Sequence, residues 1–576
     1  MKKTLVIIVS FICLAPSPLF AKGNTTDQLF DAFKERFVLA FLKIYPDFAT
    51  SKGYHVYDNI LMAPDNGYMK LQVDFSTNYL DSLNTFSYAA LNDVNKTDYK
   101  IIENELKTII WQTQSAKEYA WNPSVYNVAS SFAYILNEPY DKLENRLQNF
   151  YKKMGFIPEY YVAAKANIKQ PAKELTELAI EQLNGGLSIF EKDLADSLQQ
   201  SSLSQVLKDS INVRAASAAR TIKSFIAWLQ SLSMGNARSF RLGKDLYEKQ
   251  FELDIQSSYT IDELYKAAQQ RKENLLNEME KKANLLWPKY FTNTAKPKDR
   301  FVLIRKVIDT LSAQHVKPQD FESSITEQLP ELTAFVKKKN LLYIDPSKPL
   351  QVRKEPGYMA GVAGASISAP GPFEKNGSTY YNVGSLEGWP PEKSESYLRE
   401  YNNYTLQILN IHEAIPGHYA QLVYSNKSPS IVKSVFANGS TIEGWAVFSE
   451  LMMMENGYDN SPEMWLMYYK WNLRTVCNTI LDISVHTRKM TKEKGIDLLV
   501  RQAFQQQAEA EGKWKRVSVT HVQLTSYFNG FYEIMQLRDA YKKKMGNAYT
   551  VKKFNEKFLS YGSAPVKYIK AIMMNE

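Results

Sequence analysis

The sequence predicts a mainly α fold, a large helical body that carries one small β-hairpin. Three observations lead there. Apolar residues recur at three- and four-residue spacing from Thr25 to about Ile344. One pair of β-prone runs flanks Asn376-Gly377, and helical spacing returns from Ser394 onward. Those two periods, 3.6 and 2, separate helix from strand.

Taken in order, Asp27 to Ile44 places Leu29, Phe33, Phe37, Phe41 and Ile44 on one face. Asn95 to Gln114 repeats this with Ile101, Ile102, Leu106, Ile109 and Ile110. Pro171 to Gln200 reads as a helix pair broken at Gly185-Gly186. Thr260-Ile-Asp-Glu263 is a capping box for a helix reaching about Leu286. Between Leu350 and Pro391 Gly and Pro become frequent. Ile367 to Phe373 and Tyr380 to Val383 then form the hairpin arms around the Asn-Gly turn. Helices follow over Ser394 to Ile411, Ser430 to Glu455, Glu463 to Thr487, Asp497 to Glu511 and Leu524 to Met545.

The 576 residues are 44% hydrophobic and 23% charged, enough for a sizeable core and more than one lobe. The formal charge of +9 is spread along the chain. Its longest basic runs, Lys337 to Lys339 and Lys542 to Lys544, read as solvated helix faces, so nucleic acid is not an expected partner. Lys2 and Lys3, an apolar run from Leu5 to about Ala15, and Leu19-Phe20-Ala21 have the order of a secretory signal peptide. The expected layout is a signal over 1–21, an N-terminal helical region over 22–345 and a C-terminal catalytic region over 346–576. The two regions join as one continuous fold around a cleft, with the mature protein periplasmic or secreted. A lipoprotein would need a small residue before Cys13, where Ile12 stands. No later segment offers 18 consecutive apolar residues, so stable membrane insertion is not expected. Cys477 then has no partner for a disulfide within the chain and fits a helix core. Oligomeric state is not legible.

The chemistry concentrates in IHEAIPGHYAQ, Ile411 to Gln421, and in EGWAVFSE, which opens at Glu443. Two histidines and nearby carboxylates suit a zinc ion that keeps one open position. His412 and His418 are six residues apart, about 600° of regular helix, which leaves them roughly 120° out of phase. Pro416 removes a backbone donor and clashes one turn back, and Gly417 tolerates irregular dihedrals. A bulge at Pro416-Gly417 is therefore expected to return His418 to the metal side. Glu443, entering an apolar run where an unpaired carboxylate is costly, is the expected third ligand. Glu450, seven residues on, could orient a ligand from behind. Glu413 is the expected general base.

These motifs resemble the large bacterial family catalogued as domain-of-unknown-function family 885, a helical zincin-like metallopeptidase family akin to carboxypeptidase Taq and thimet oligopeptidase. Its His-Glu-x-x-Pro-Gly-His-x-x-Gln pattern is matched by His412, Glu413, Pro416, Gly417, His418 and Gln421. Its Glu-Gly-Trp-Ala element is matched by Glu443 to Ala446. The Tyr380-Tyr381-Asn382 segment and the Asp482 to His486 stretch also look like family segments. The chain departs at His521-Val522, where relatives carry Pro-Gly. The resemblance implies metal ligation by His412, His418 and Glu443 and a base role for Glu413. It also implies that Tyr527 reaches the site as an oxyanion or substrate donor, with His486 as a further catalytic candidate. The expected function is a secreted zinc-dependent metallopeptidase of dipeptidase, carboxypeptidase or oligopeptidase type. Zinc-bound water, activated by Glu413, would hydrolyse short peptides. The alternatives are a non-enzymatic helical envelope protein that binds glycans or peptides, suggested by 36 Tyr, and a pseudoenzyme that retains zinc.

Overall fold

The computed structural model describes residues 25–235, 237–355, 365–374 and 377–575. The expected signal segment, 1–21, and the Asn376 half of the expected turn lie outside them. The fold is mainly helical, as the spacing predicts.

The first helix, Thr26–Ile44, begins where Thr25 and Gln28 cap each other through side chain and backbone. Its inward face presents Phe30, Phe33, Phe37 and Phe41. Phe37 meets Tyr79 at 5.3 Å between ring centroids, and Phe41 meets Phe436 at 4.8 Å. Phe436 lies three residues before the helix Gly439–Glu455 that carries Glu443, so the N-terminal helix buttresses the candidate site. One apolar core accordingly runs from Phe30 to Met573. A second core lies within 61–229, around Phe132, Phe150, Phe190 and Phe225.

Thr260 and Glu263 form the expected capping box, and the helix extends over Ile261–Tyr290. It packs along the helix Pro462–Thr487, where Arg271 Nε donates to Asn472 Oδ1 at 3.1 Å. The helix Gly439–Glu455 crosses the helix Ser526–Met545 at closest approach between two glycines. A Cβ on Gly444 would sit 2.3 Å from the Gly530 carbonyl carbon, and one on Gly530 would sit 1.8 Å from Ser440 O. Only glycine allows backbones that near, and the crossing brings Tyr527 toward Glu443.

The sheet is larger than expected. β1 (Leu350–Lys354) pairs in parallel with β3 (Thr379–Val383), and β2 (Ala365–Ser368) pairs antiparallel with β3 on its other side. Three further expectations need correcting. Lys173–Ser188 stays helical through Gly185-Gly186, and a Cβ on Gly186 would lie 2.5 Å from the Ala129 Cβ. That glycine permits close helix packing instead of ending a helix. Ser430 to Glu455 is split, because the Asn438 side chain caps a new helix by accepting from Thr441 N at 2.9 Å. Asp497 to Glu511 is also split, into a wide turn at Leu498–Gln502 and a helix at Gln507–Val519.

Candidate metal centre

The first candidate ligand arrives on the helix Asn403–Glu413. Asn402 starts it by accepting from Tyr404 N at 3.1 Å and Thr405 N at 3.3 Å. The sheet fixes its position, because the buried Tyr381 hydroxyl on β3 donates to Asn410 Oδ1 at 2.8 Å, two residues before His412.

The helix then ends. Ala414 and Gly417 leave helical geometry, the Ile415–Pro416 peptide is cis, and a new helix starts at His418. The expected bulge is thus a complete break between two helices. Gly417 is required, since a Cβ there would stand 1.9 Å from His412 O. The break is fastened to the Glu443 helix, whose Trp445 Nε1 donates to Pro416 O at 2.9 Å.

As a result the His412 and His418 rings lie 4.8 Å apart at 85°. Their Nε2 atoms face Glu443 Oε2 at 3.6 and 3.4 Å. That oxygen is buried and makes no hydrogen bond. Zinc bonds to nitrogen and oxygen of about 2.0–2.2 Å in a tetrahedron put ligand atoms roughly 3.3–3.5 Å apart, and the two separations from Glu443 Oε2 are close to that spacing. Glu413 offers an oxygen within 4.8 Å of both histidines.

The surrounding electrostatics follow from this crowding. Burial opposes charge on His412, but Glu443 and Glu450 outweigh it and raise its pKa to about 10. Burial likewise works against the Glu443 charge, and His412 with His418 overcome it, holding that carboxyl well below the usual range. Glu413 moves the other way, since burial raises its pKa more than the two histidines lower it. Glu450 is fully buried, and its Oε1 lies 2.7 Å from His412 Nδ1 while accepting from Trp471 Nε1 at 3.0 Å. It therefore turns His412 Nε2 toward Glu443.

Tyr527 stands three residues before Gly530, at the glycine crossing. Burial, then the charge of Glu443, raise its phenol pKa, and its hydroxyl accepts from Arg516 Nη2 at 3.2 Å. Asp482 steadies the turn that presents it, accepting from Tyr247 OH at 2.7 Å and Leu524 N at 3.1 Å. Within that turn Val522 adopts φ +54°, a conformation a β-branched residue rarely takes.

The structure does not bring His486 to this cluster. Its Nε2 lies 2.9 Å from Val517 O, and its ring packs against Phe240, Tyr247 and His521. No hydrogen bond, ion pair or ring contact among the described residues joins it to His412, Glu413, His418 or Glu443. His521 sits with it, its Nε2 3.3 Å from Phe240 O.

A model for the family described as "Bacterial protein of unknown function (DUF885)" matches residues 46–573. The chain belongs to this family. Solved structures share its fold as well. One from Shewanella oneidensis, described as a candidate lipoprotein of unknown function, is 48% identical. It has a TM-score of 0.85, with 95% of this chain and 99% of that one covered. A candidate lipoprotein from Colwellia psychrerythraea is 16% identical with a TM-score of 0.78, covering 96% and 99%, and shares the fold. No curated protein matches.

Sequence reasoning missed the basic side chains near this DUF885 centre. Lys513 and Arg516 stand three apart on one helix, a spacing that shares a face, and that signal was readable. Arg474 joins them only through tertiary contact.

Proposed function

We propose that this protein is a zinc-dependent metallopeptidase of the cell envelope that hydrolyses short peptides. The observation that carries the reading is the convergence of His412 Nε2 and His418 Nε2 on Glu443 Oε2, with Glu413 beside both histidines. A zinc ion held by these three would supply a Lewis acid that polarises a peptide carbonyl and acidifies a water. Glu413, its carboxyl pKa raised by burial, takes the proton of the attacking water and passes it to the leaving amine. Glu450 orients His412. Because the Tyr527 oxygen already accepts from Arg516, its own proton is available for the charge that develops on the carbonyl oxygen.

An envelope location draws support from the signal-like first 21 residues and from the two similar structures described as candidate lipoproteins. No helix among the described residues is long and apolar enough to cross a membrane.

The test is incubation of the zinc-loaded chain with a mixed peptide library, read by mass spectrometry. Cleavage by the wild type and a loss of about 10²–10⁴ in rate for Glu413→Gln is the expected result. A metal-free protein that cleaves nothing and binds a glycan would replace this reading with the envelope-binder one.

A further inference from the structure

Beside the centre lies a group of basic side chains with too few acids among them. Arg474 stacks over the Trp471 ring at 4.8 Å, and that indole holds Glu450 behind His412. Its Nη2 pairs with Glu509 at 2.6 Å, while Lys513 Nζ reaches the same carboxylate only at 3.8 Å. Lys470 pairs with Glu400 at 2.9 Å. Arg516, one turn along from Lys513, has no ion pair among the described residues. It donates to Gln523 Oε1 at 2.8 Å and Tyr527 OH at 3.2 Å. Asp482 feels the charge of Arg516, yet its oxygens are taken by Tyr247 and Leu524. Among the described residues, four basic groups therefore find ion-pair partners only in Glu400 and Glu509, with Asp482 acting on Arg516 from a distance.

Such an excess is costly away from water. Lys513 is buried, and burial together with Arg474 brings its pKa down to about 7. Arg516 and Tyr527 remain partly exposed, so an incoming group can reach them. A partly exposed guanidinium, with a buried amine one turn away that an incoming anion would hold in its charged form, is a receptor for a small oxyanion. The position narrows its identity, because Tyr527 touches Arg516 and stands one turn before Gly530, whose backbone packs directly on Gly444 beside Glu443. The anion would sit close to the bond held at the metal centre, and every linear peptide carries one carboxylate at its end.

We propose that Arg516, backed by Lys513, binds the free C-terminal carboxylate of the peptide, so that the enzyme trims peptides from their C-terminal end. This rests on the peptidase reading above and deepens it.

The test uses the full-length zinc-loaded protein and matched peptides that end in a free acid or in an amide. The acid should be cleaved roughly 10- to 100-fold better in kcat/KM, the worth of one charge-assisted contact, with the last residue or dipeptide released first. Arg516→Gln should erase most of that preference by raising KM for the acid, and Arg516→Lys should keep part of it. If Arg516 merely positions Tyr527, the Gln variant would instead lower kcat for acid and amide alike, and the inference falls. Equal cleavage of both peptides by the wild type also overturns it and leaves the peptidase reading intact. Binding provides a readout without turnover. Calorimetry on Glu413→Gln should show an N-acetyl dipeptide acid binding and its amide binding at least about tenfold more weakly. Inorganic phosphate binding more tightly than the acid would overturn the proposal. Acid-selective binding with no cleavage of any peptide would sink the peptidase reading and keep the carboxylate site.

Discussion

The protein holds two pairs of buried histidines that differ in almost nothing except their neighbours. His412 and His418 stand 4.8 Å apart between ring centroids, and His486 and His521 stand 5.0 Å apart, both pairs near edge-to-face. The first pair faces Glu443, Glu413 and Glu450. The second is enclosed by Phe240, Tyr247, Trp121 and backbone carbonyls. Carboxylates raise His412 to about 10, whereas burial lowers His486 to about 3 and His521 to about 4. Two close imidazoles do not by themselves make a candidate metal site; the acids are what set the two pairs apart.

The contrast can be pressed hardest at Glu413. Replacing it by Gln removes the proton carrier and leaves the proposed ligands, so peptide hydrolysis should fall by about 10²–10⁴ with zinc retained. His521→Asn, in the other pair, should change hydrolysis far less. Glu450→Ala comes next. Loss of its bond to His412 Nδ1 should weaken zinc binding by roughly 10- to 100-fold in a competition titration.

Acid titration of the chelator-treated protein separates the pairs by sign. His486 and His521 stay neutral in the fold down to about pH 3 and 4, while the unfolded chain protonates below about 6.5. The unfolded state therefore binds more protons in that window. Stability drops as pH falls from 6.5 toward 4, by up to about 1.4 kcal/mol per histidine per pH unit. His412 acts oppositely. Its raised pKa gives stability that is fully present below about 6.5 and fades as pH rises toward 10. Urea unfolding across pH 4.5 to 9 should show the acid-side slope roughly halved in His521→Asn. An unchanged slope would mean the second pair is not buried neutral.

Much of this was legible because it is local. Thr260 announces its helix through Glu263 three residues on, and Pro416-Gly417 announces an irregularity between the two candidate ligands, although the sequence suggests a bulge where the structure has a complete break. Glu443 stood out as a carboxylate entering an apolar run. The rest depends on distant partners. Gly186 was taken for a breaker because nothing nearby in sequence reveals Ala129 against it. β1 has a partner 29 residues away, and its alternation is weak. His486 carries a residue type that fits a metal site, but only its packing against Phe240, Tyr247 and His521 shows where it went. Arg516 drew no notice because its unpaired state is a property of the assembled fold.

Zinc content measured side by side on the wild type, Glu443→Ala and His521→Ala, after purification and dialysis, tests the central claim most directly. The expected result is one zinc per chain in the wild type and in His521→Ala, and none in Glu443→Ala. Full zinc in Glu443→Ala, or a wild type that binds none when zinc is supplied, would contradict it.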